Sequence, residues 1–222
     1  MLRPFIRHVL LTGWLALSAA ASMAIEQPGY EVISAQGEFE LRHYRVMLIA
    51  QTVVEGDREQ ASRKAFGLLA DYIFGNNQLA GQSGASTKIA MTAPVTIEPP
   101  ASKIAMTAPV ALAMSAEGAW RVHFVMPSQY SMATIPKPRN PEVELREVPS
   151  RWMIAHRFSG LASLSEVESK TEEALKWARA RGLAPAGSPQ LARYDPPWTP
   201  PMARRNEILI EVAQPSSSAG KP

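Results

Sequence analysis

The chain has no cysteine among its 222 residues. Disulfides, thiolate metal sites, cysteine nucleophiles and the C-x-x-C-H attachment motif are therefore excluded. The same absence excludes a lipoprotein anchor near the N-terminus. No charge of one sign dominates, because 23 Lys and Arg stand against 20 Asp and Glu. A nucleic-acid surface would need a stronger basic excess or a clustered stripe. There are four histidines, His8, His43, His123 and His156, and no two lie within four residues of each other. Mononuclear zinc sites take three or four ligands and often draw two from one element. The chain also lacks G-x-S-x-G, a P-loop, H-E-x-x-H and G-x-G-x-x-G.

The one long apolar run is at the start. Arg3 and Arg7 precede the apolar run Val9 to Ala21, and Ser22-Met23-Ala24 fits a small-x-small cleavage site. That arrangement predicts a secretory signal peptide over residues 1–24, with an uncleaved anchor as the alternative. The leader holds two arginines and no acid, so the net charge falls from +3 for the whole chain to +1 without it. Residues 25–212 then read as a single domain in the periplasm or outside the cell. Residues 213–222, AQPSSSAGKP, read as a disordered tail.

Residues 30–35 and 38–54 read as strands around the turn Gln36-Gly37. Residues 58–74 carry a helical stripe of Ala61, Ala65, Leu68, Leu69, Tyr72 and Ile73 that stops at Gly75-Asn76. A strand is expected from Trp120 to Met126. The order then begins again. Residues 142–148 and 151–158 read as a strand pair around Pro149-Ser150. A helix follows over about 164–181, with Ser163 and Glu166 forming a capping box. Its buried stripe is Val167, Thr171, Ala174, Leu175 and Ala178. Strands near 189–194 and over 207–212 complete the set. Two such units predict an α+β fold of antiparallel strands with two helices packed on them. The pattern leaves open whether the sheet is open or closed into a barrel.

The octapeptide KIAMTAPV occurs twice, from Lys88 and from Lys103. Two copies are too few for a solenoid, and the segment holds no nucleophile–base pair. Alternation of Ile89, Met91 and Ala93 with Ala90 and Thr92 predicts a scaffold strand that Pro94 ends. The second copy reads as a local duplication, an adjacent strand or hairpin arm.

His123 shares a strand face with Arg121 and is expected to face solvent. His156 shares parity with Trp152, Ile154 and Phe158, which predicts a core histidine bonded to a backbone carbonyl. His43, between Arg42 and Tyr44, reads as a half-exposed strand residue. Met91, Met106 and Met126 are either adaptable core filling or the lining of a flat apolar site. Glu144, Arg146 and Glu147 form an ordinary cross-strand charge pattern. Arg58, Arg63 and Lys64 read as a solvated helix face. No catalytic constellation is visible, which favours binding over catalysis.

The ordered series FELRHY, LLADYIFGNN, KIAMTAPV, FVMPSQY, LREVPSR, HRFSG and RYDPPWTPPMARRNEILIEV resembles the SOUL haem-binding protein family. The resemblance runs from about Tyr30 to Val212. It implies a distorted antiparallel β-barrel from two pseudo-symmetric β-α-β-β halves, with a helix on each side, similar to effector-binding domains. It implies non-covalent haem or tetrapyrrole binding and no enzyme activity. In some members an axial histidine lies in a YEIRHY-like segment, and that position matches His43. His43 is thus the implied cofactor and metal ligand. With a leader peptide, the implied role is exported haem carriage or buffering, with no nucleic-acid partner and no membrane partner after cleavage. The alternative is a general module for apolar small molecules, and a small hydrolase on the same scaffold ranks below it. Of the two octapeptides, the one leading into Trp120 is expected to hold the family position.

Overall fold

The computed structural model describes residues 25–79, 81–82, 84–99 and 118–215. The leader, Met106 and the second octapeptide lie outside the described residues. So does the tail beyond Pro215.

Strand β1 (Tyr30–Gln36) and β2 (Phe39–Tyr44) form the expected hairpin. Gly37 turns it with a φ of 57°, a conformation that glycine adopts without steric strain. The single strand expected over 38–54 is instead two. The Arg45 N–H leaves the ladder to donate to the Gly29 carbonyl (3.1 Å). The chain resumes as β3 (Met47–Gly56) in a different part of the sheet. Helix α1 (Arg58–Ile73) follows, capped by Asp57, whose Oδ1 accepts from the N–H groups of Glu59 (3.0 Å) and Gln60 (2.9 Å).

The strands after α1 are β4 (Asn77–Gln78), β5 (Val95–Glu98), β6 (Gly118–Val125), β7 (Lys137–Pro138), β8 (Glu144–Val148) and β9 (Arg151–Phe158). Helix α2 (Leu164–Arg179), β10 (Gln190–Arg193), a 3-10 turn (Pro201–Ala203) and β11 (Asn206–Val212) end the fold. The Ser163 Oγ accepts from the Glu166 N–H (3.3 Å), which is the expected cap of α2. Lys176 and Arg179 lie in its last turn and complement the helix dipole there.

Nine strands form one antiparallel sheet in the order β1-β2-β9-β11-β10-β5-β6-β3-β8. Two β-α-β-β halves are visible in it. In one, β3 pairs with β6 and β6 with β5; in the other, β9 pairs with β11 and β11 with β10. The halves meet where β5 pairs with β10. Each strand that precedes a half joins the other half. The expected pair around Pro149-Ser150 therefore does not form: β8 pairs with β3, while β9 pairs with β2. The barrel expectation also needs correction, because β1 and β8 end the sheet and it is not closed. Exposed polar side chains on these edges, Glu31 on β1 and Glu144, Arg146 and Glu147 on β8, suit unpaired edge strands.

Both helices pack on one face of the sheet. The main core joins Ala61, Ala65, Leu69 and Ile73 of α1 and Val167, Ala174, Leu175 and Ala178 of α2 to Trp120, Val122, Phe124, Ile154, Ile208 and Ile210. These are the stripes expected from helical and strand spacing. Met126 belongs to this core, whereas Met91 is exposed. The first octapeptide is not itself a strand. It runs as coil from Lys88 to Pro94 and enters β5 only at its last residue, Val95. It is anchored all the same. Ile89 is buried and its N–H donates to the Ile73 carbonyl (2.8 Å), and the Thr92 hydroxyl donates to the Val125 carbonyl. Buried Asn77 clasps the preceding loop by bonding the Tyr72 and Thr87 carbonyls, each at 2.8 Å. Among the described residues no helix is long and apolar enough to cross a membrane.

The exchange of strands makes β9 central and β1 peripheral. Ile154→Ala, at a fully buried site on β9, is expected to cost about 2–5 kcal/mol. Val32→Ala, on the exposed edge strand β1, is expected to stay within about 0.5 kcal/mol. Urea denaturation of the two variants checks this, and similar losses would contradict the strand order.

Candidate ligand-binding site

Strand alternation divides the chemistry between the two faces of the sheet. On the helix-free face, Arg42 of β2 meets Glu207 of β11 across β9. The contact is bidentate, with Nη1 to Oε2 at 2.7 Å and Nη2 to Oε1 at 3.0 Å. Arg205 donates twice to the same carboxylate, at 3.0 and 2.7 Å, and the Tyr194 hydroxyl donates to Oε2 at 2.7 Å. Glu40 accepts from Arg42 Nε at 2.7 Å, so both members of the central pair are well provided with partners. Glu207 has no exposed surface. Burial alone would raise its pKa, but hydrogen bonds and charge from Arg42, with bonds from Tyr194 and Arg205, hold it below the usual carboxylate range. Burial first, and then the Glu207 charge, push the Tyr194 phenol up. This carboxylate is fixed in its charged form and is poorly suited to deliver a proton.

Beside this cluster is a cavity of about 20 Å³, lined by residues that include Tyr44, Met47, Thr96, His123, Arg151 and Gln190. That is room for about one water molecule. Residues 25–29 and the first octapeptide run beside it and contribute Pro28 and Pro94 to its wall. Besides the bonds of Gly29, Ile89 and Thr92 already described, three more tie down this strap. Ala93 N–H donates to the Glu26 carbonyl (2.9 Å), Ser128 N–H to Glu26 Oε1 (2.8 Å), and Arg205 Nη1 to Gln27 Oε1 (3.3 Å). The expectation that His123 faces solvent fails here. It does share its face with Arg121, but that face is covered and His123 is only 4% exposed. Burial, followed by the charges of Arg151, Arg121 and Arg146, lowers its pKa to about 3. Among the described residues its Nδ1 has no partner, nor has Oε1 of Gln51 or Gln190.

His43 points to the opposite face of β2, the face of Phe39 and Leu41. It is half-buried, pairs with Trp152 of β9, and stacks on that indole at 4.6 Å and 24°. A ring covered on its face keeps its nitrogens at the edge, where a ligand would meet them. His43 lines none of the three cavities described for this fold. A flat cofactor held at His43 would lie next to Trp152. Among the described residues no cluster of three His, Cys, Asp or Glu side chains could hold a metal ion. One axial imidazole on an aromatic shelf fits a haem better than a bare cation, which needs more ligands.

His156 lies as expected. It is buried, its Nδ1 is 3.0 Å from the Lys170 carbonyl, and its ring stacks on Phe39 at 4.1 Å. Arg58 does not lie as expected. It opens α1 but is buried, with its Nη2 donating to the Ala162 carbonyl at 2.7 Å. Sequence reasoning missed the Arg42–Glu207 pair altogether. The available signal was a pair of opposite charges inside segments read as strands, Arg42 in FELRHY and Glu207 in NEILIEV.

The SOUL heme-binding protein family matches residues 25–211. The chain belongs to this family. The family is described by haem binding, and FELRHY lies within the matched region. No curated protein matches the chain. Among solved structures, the C-terminal domain of EcmrR is similar with a TM-score of 0.55 and 10% identity, over 83% of this chain and 98% of that one. A hydrolase from Listeria innocua is similar with a TM-score of 0.52 and 12% identity, over 81% and 94%. An uncharacterized conserved protein from Listeria innocua gives 0.53 and 11%, over 81% and 94%. At these identities the likeness shows the α+β fold alone.

The buried histidine gives the SOUL fold a pH signature. As the pH falls from 6.5, the unfolded chain takes up a proton at His123 that the folded chain refuses until about pH 3, so stability falls. His156, whose pKa is also lowered, first by burial, acts in the same sense. His123→Gln is therefore expected to flatten part of the decline between pH 6.5 and about 5. Urea midpoints across that range check it, and an unchanged slope would refute it.

Proposed function

We propose that this SOUL protein is an exported, non-covalent binder of haem or a related tetrapyrrole, serving in haem carriage or buffering. The observation that carries the reading is the family match across residues 25–211, together with His43 in FELRHY. His43 is the axial ligand in this reading, and Trp152 supports the imidazole on its face. Bound haem would supply an iron centre and a large apolar ring. The protein's part is to present an imidazole nitrogen and an aromatic surface. Export rests on the apolar leader over residues 1–24. Catalysis is no part of the proposal, since the buried carboxylate Glu207 is tied to two arginines and a tyrosine.

A second reading is favoured by one observation, that His43 lines none of the described cavities. The fold would then hold apolar small molecules without iron coordination. Titration with haemin separates the two. A saturable shift of the Soret band at micromolar haemin is expected, and His43→Ala is expected to move the band of the complex. Absence of a saturable shift would overturn haem binding. An unchanged spectrum in the variant would overturn ligation by His43. Iron-free protoporphyrin binding as tightly as haemin would favour the second reading.

A further inference from the structure

The repeated octapeptide KIAMTAPV plays no part in the reading of His43. Its first copy, Lys88 to Val95, is seated by three donors. Ile89 N–H donates to the Ile73 carbonyl (2.8 Å), Ala93 N–H to the Glu26 carbonyl (2.9 Å), and the Thr92 hydroxyl to the Val125 carbonyl. Ile89 is only 2% exposed. Just before the octapeptide, Asn77 grips the backbone of Thr87 alone, accepting from its N–H at 3.1 Å and donating to its carbonyl at 2.8 Å. All three donors recur fifteen residues later as Ile104, Ala108 and Thr107 of the second copy. Ser102 precedes that copy and offers the same backbone groups as Thr87.

The strand that continues the octapeptide is equally transferable. β5 pairs with β6 as Val95 with Phe124, Thr96 with His123, Ile97 with Val122 and Glu98 with Arg121. Shifted by the length of the repeat, the same partners meet Val110, Ala111, Leu112 and Ala113. Leu112 in place of core Ile97 conserves volume, and Ala111 is smaller than Thr96, so neither face is overfilled. Extending this ladder sets Met114 opposite Trp120 and Ser115 opposite Ala119. The connection is then Ala116-Glu117-Gly118, a three-residue hairpin loop with glycine at the third position, where a left-handed residue is favoured. In the observed register, residues 99–120 separate Glu98 from Arg121. The shift moves fifteen residues from the loop after β5 to the loop before it, which changes closure entropy little. Against the tight hairpin stand the bonds that Glu98 accepts from Arg121 (3.2 Å) and Gln190 (2.6 Å), because Ala113 can accept neither.

We infer that the two octapeptides compete for one slot, so that β5 is built either from Val95–Glu98 or from residues 110–113. The exchange alters the helix-free face. With the second copy seated, Ala111 replaces Thr96 in the wall of the cavity beside His123, and Arg121 and Gln190 are released from Glu98. The slot is a conformational switch between a face bridged by a carboxylate and a less acidic one with a smaller side chain at the cavity. It involves neither iron nor His43, so it stands or falls separately from haem binding.

The test disables one copy at a time. Ile89→Asp places a charge at a buried site and disfavours the first copy. It is expected to lower the urea midpoint only slightly, because the second copy takes the slot. Ile104→Asp is expected to lower it no more, and the double variant Ile89→Asp/Ile104→Asp to lose most of the stability. The absence of native cysteine lets engineered pairs report the register. Arg121→Cys combined with Glu98→Cys reports the observed register, and Arg121→Cys combined with Ala113→Cys reports the shifted one. Adding Ile89→Asp is expected to move the disulfide yield, mapped by peptide mass spectrometry, from the first pair to the second by about tenfold or more. An Ile89→Asp midpoint as low as that of the double variant would overturn the inference. So would a double variant as stable as either single one, or a disulfide preference that Ile89→Asp leaves unchanged.

Discussion

The buried pair Arg42–Glu207 is the contact on which the arrangement of this fold depends. It joins β2 to β11 across the intervening strand β9, so three strands from both parts of the chain are pinned in one register. Removing two charges from water is expensive, and such a pair is tolerated only with full hydrogen bonding. Glu40, Tyr44, Tyr194 and Arg205 complete that bonding. Because strand side chains alternate, fixing Arg42 on the helix-free face fixes His43 on the other. The structural pair thus decides where the candidate iron ligand stands.

The same pair limits the chemistry of the protein. An acid or base catalyst needs a carboxylate that can exchange its proton near the working pH. Glu207 is held in the charged state by two guanidinium groups and a phenol. His123 is held neutral by burial and by three arginines. Neither is poised to shuttle protons. The His43–Trp152 shelf, near the start of β9, stands apart from both groups. Membership of the SOUL family agrees with that division, and likeness to a Listeria innocua hydrolase adds only a shared fold.

The two helices were legible because their apolar residues recur at helical spacing, and the cap of the second, Ser163, is a short-range feature. The strands were legible as segments but not as partners. Nothing local in LREVPSR announces that β8 and β9 part company at Pro149, because their partners lie about a hundred residues upstream in β3 and β2. Parity gave the faces of His123 and His156 correctly. It could not say that the strap of residues 25–29 and the first octapeptide would help to cover the face of His123. Alternation within KIAMTAPV suggested a strand, but Thr92 and Ile89 spend their bonds on β6 and α1 instead, and only Val95 joins the sheet. Arg58 looked solvated from its place at a helix start. Its burial depends on the loop before α2, again a long-range neighbour.

A double-mutant cycle on Arg42 and Glu207, measured by urea denaturation, tests the central claim most directly. Arg42→Met and Glu207→Leu should each cost about 3–5 kcal/mol, because each leaves a buried charge without its partner. The double variant should cost clearly less than the sum, with a coupling of about 2 kcal/mol or more. Additive losses would contradict the account, since they would mean that the two side chains do not hold β2 and β11 together.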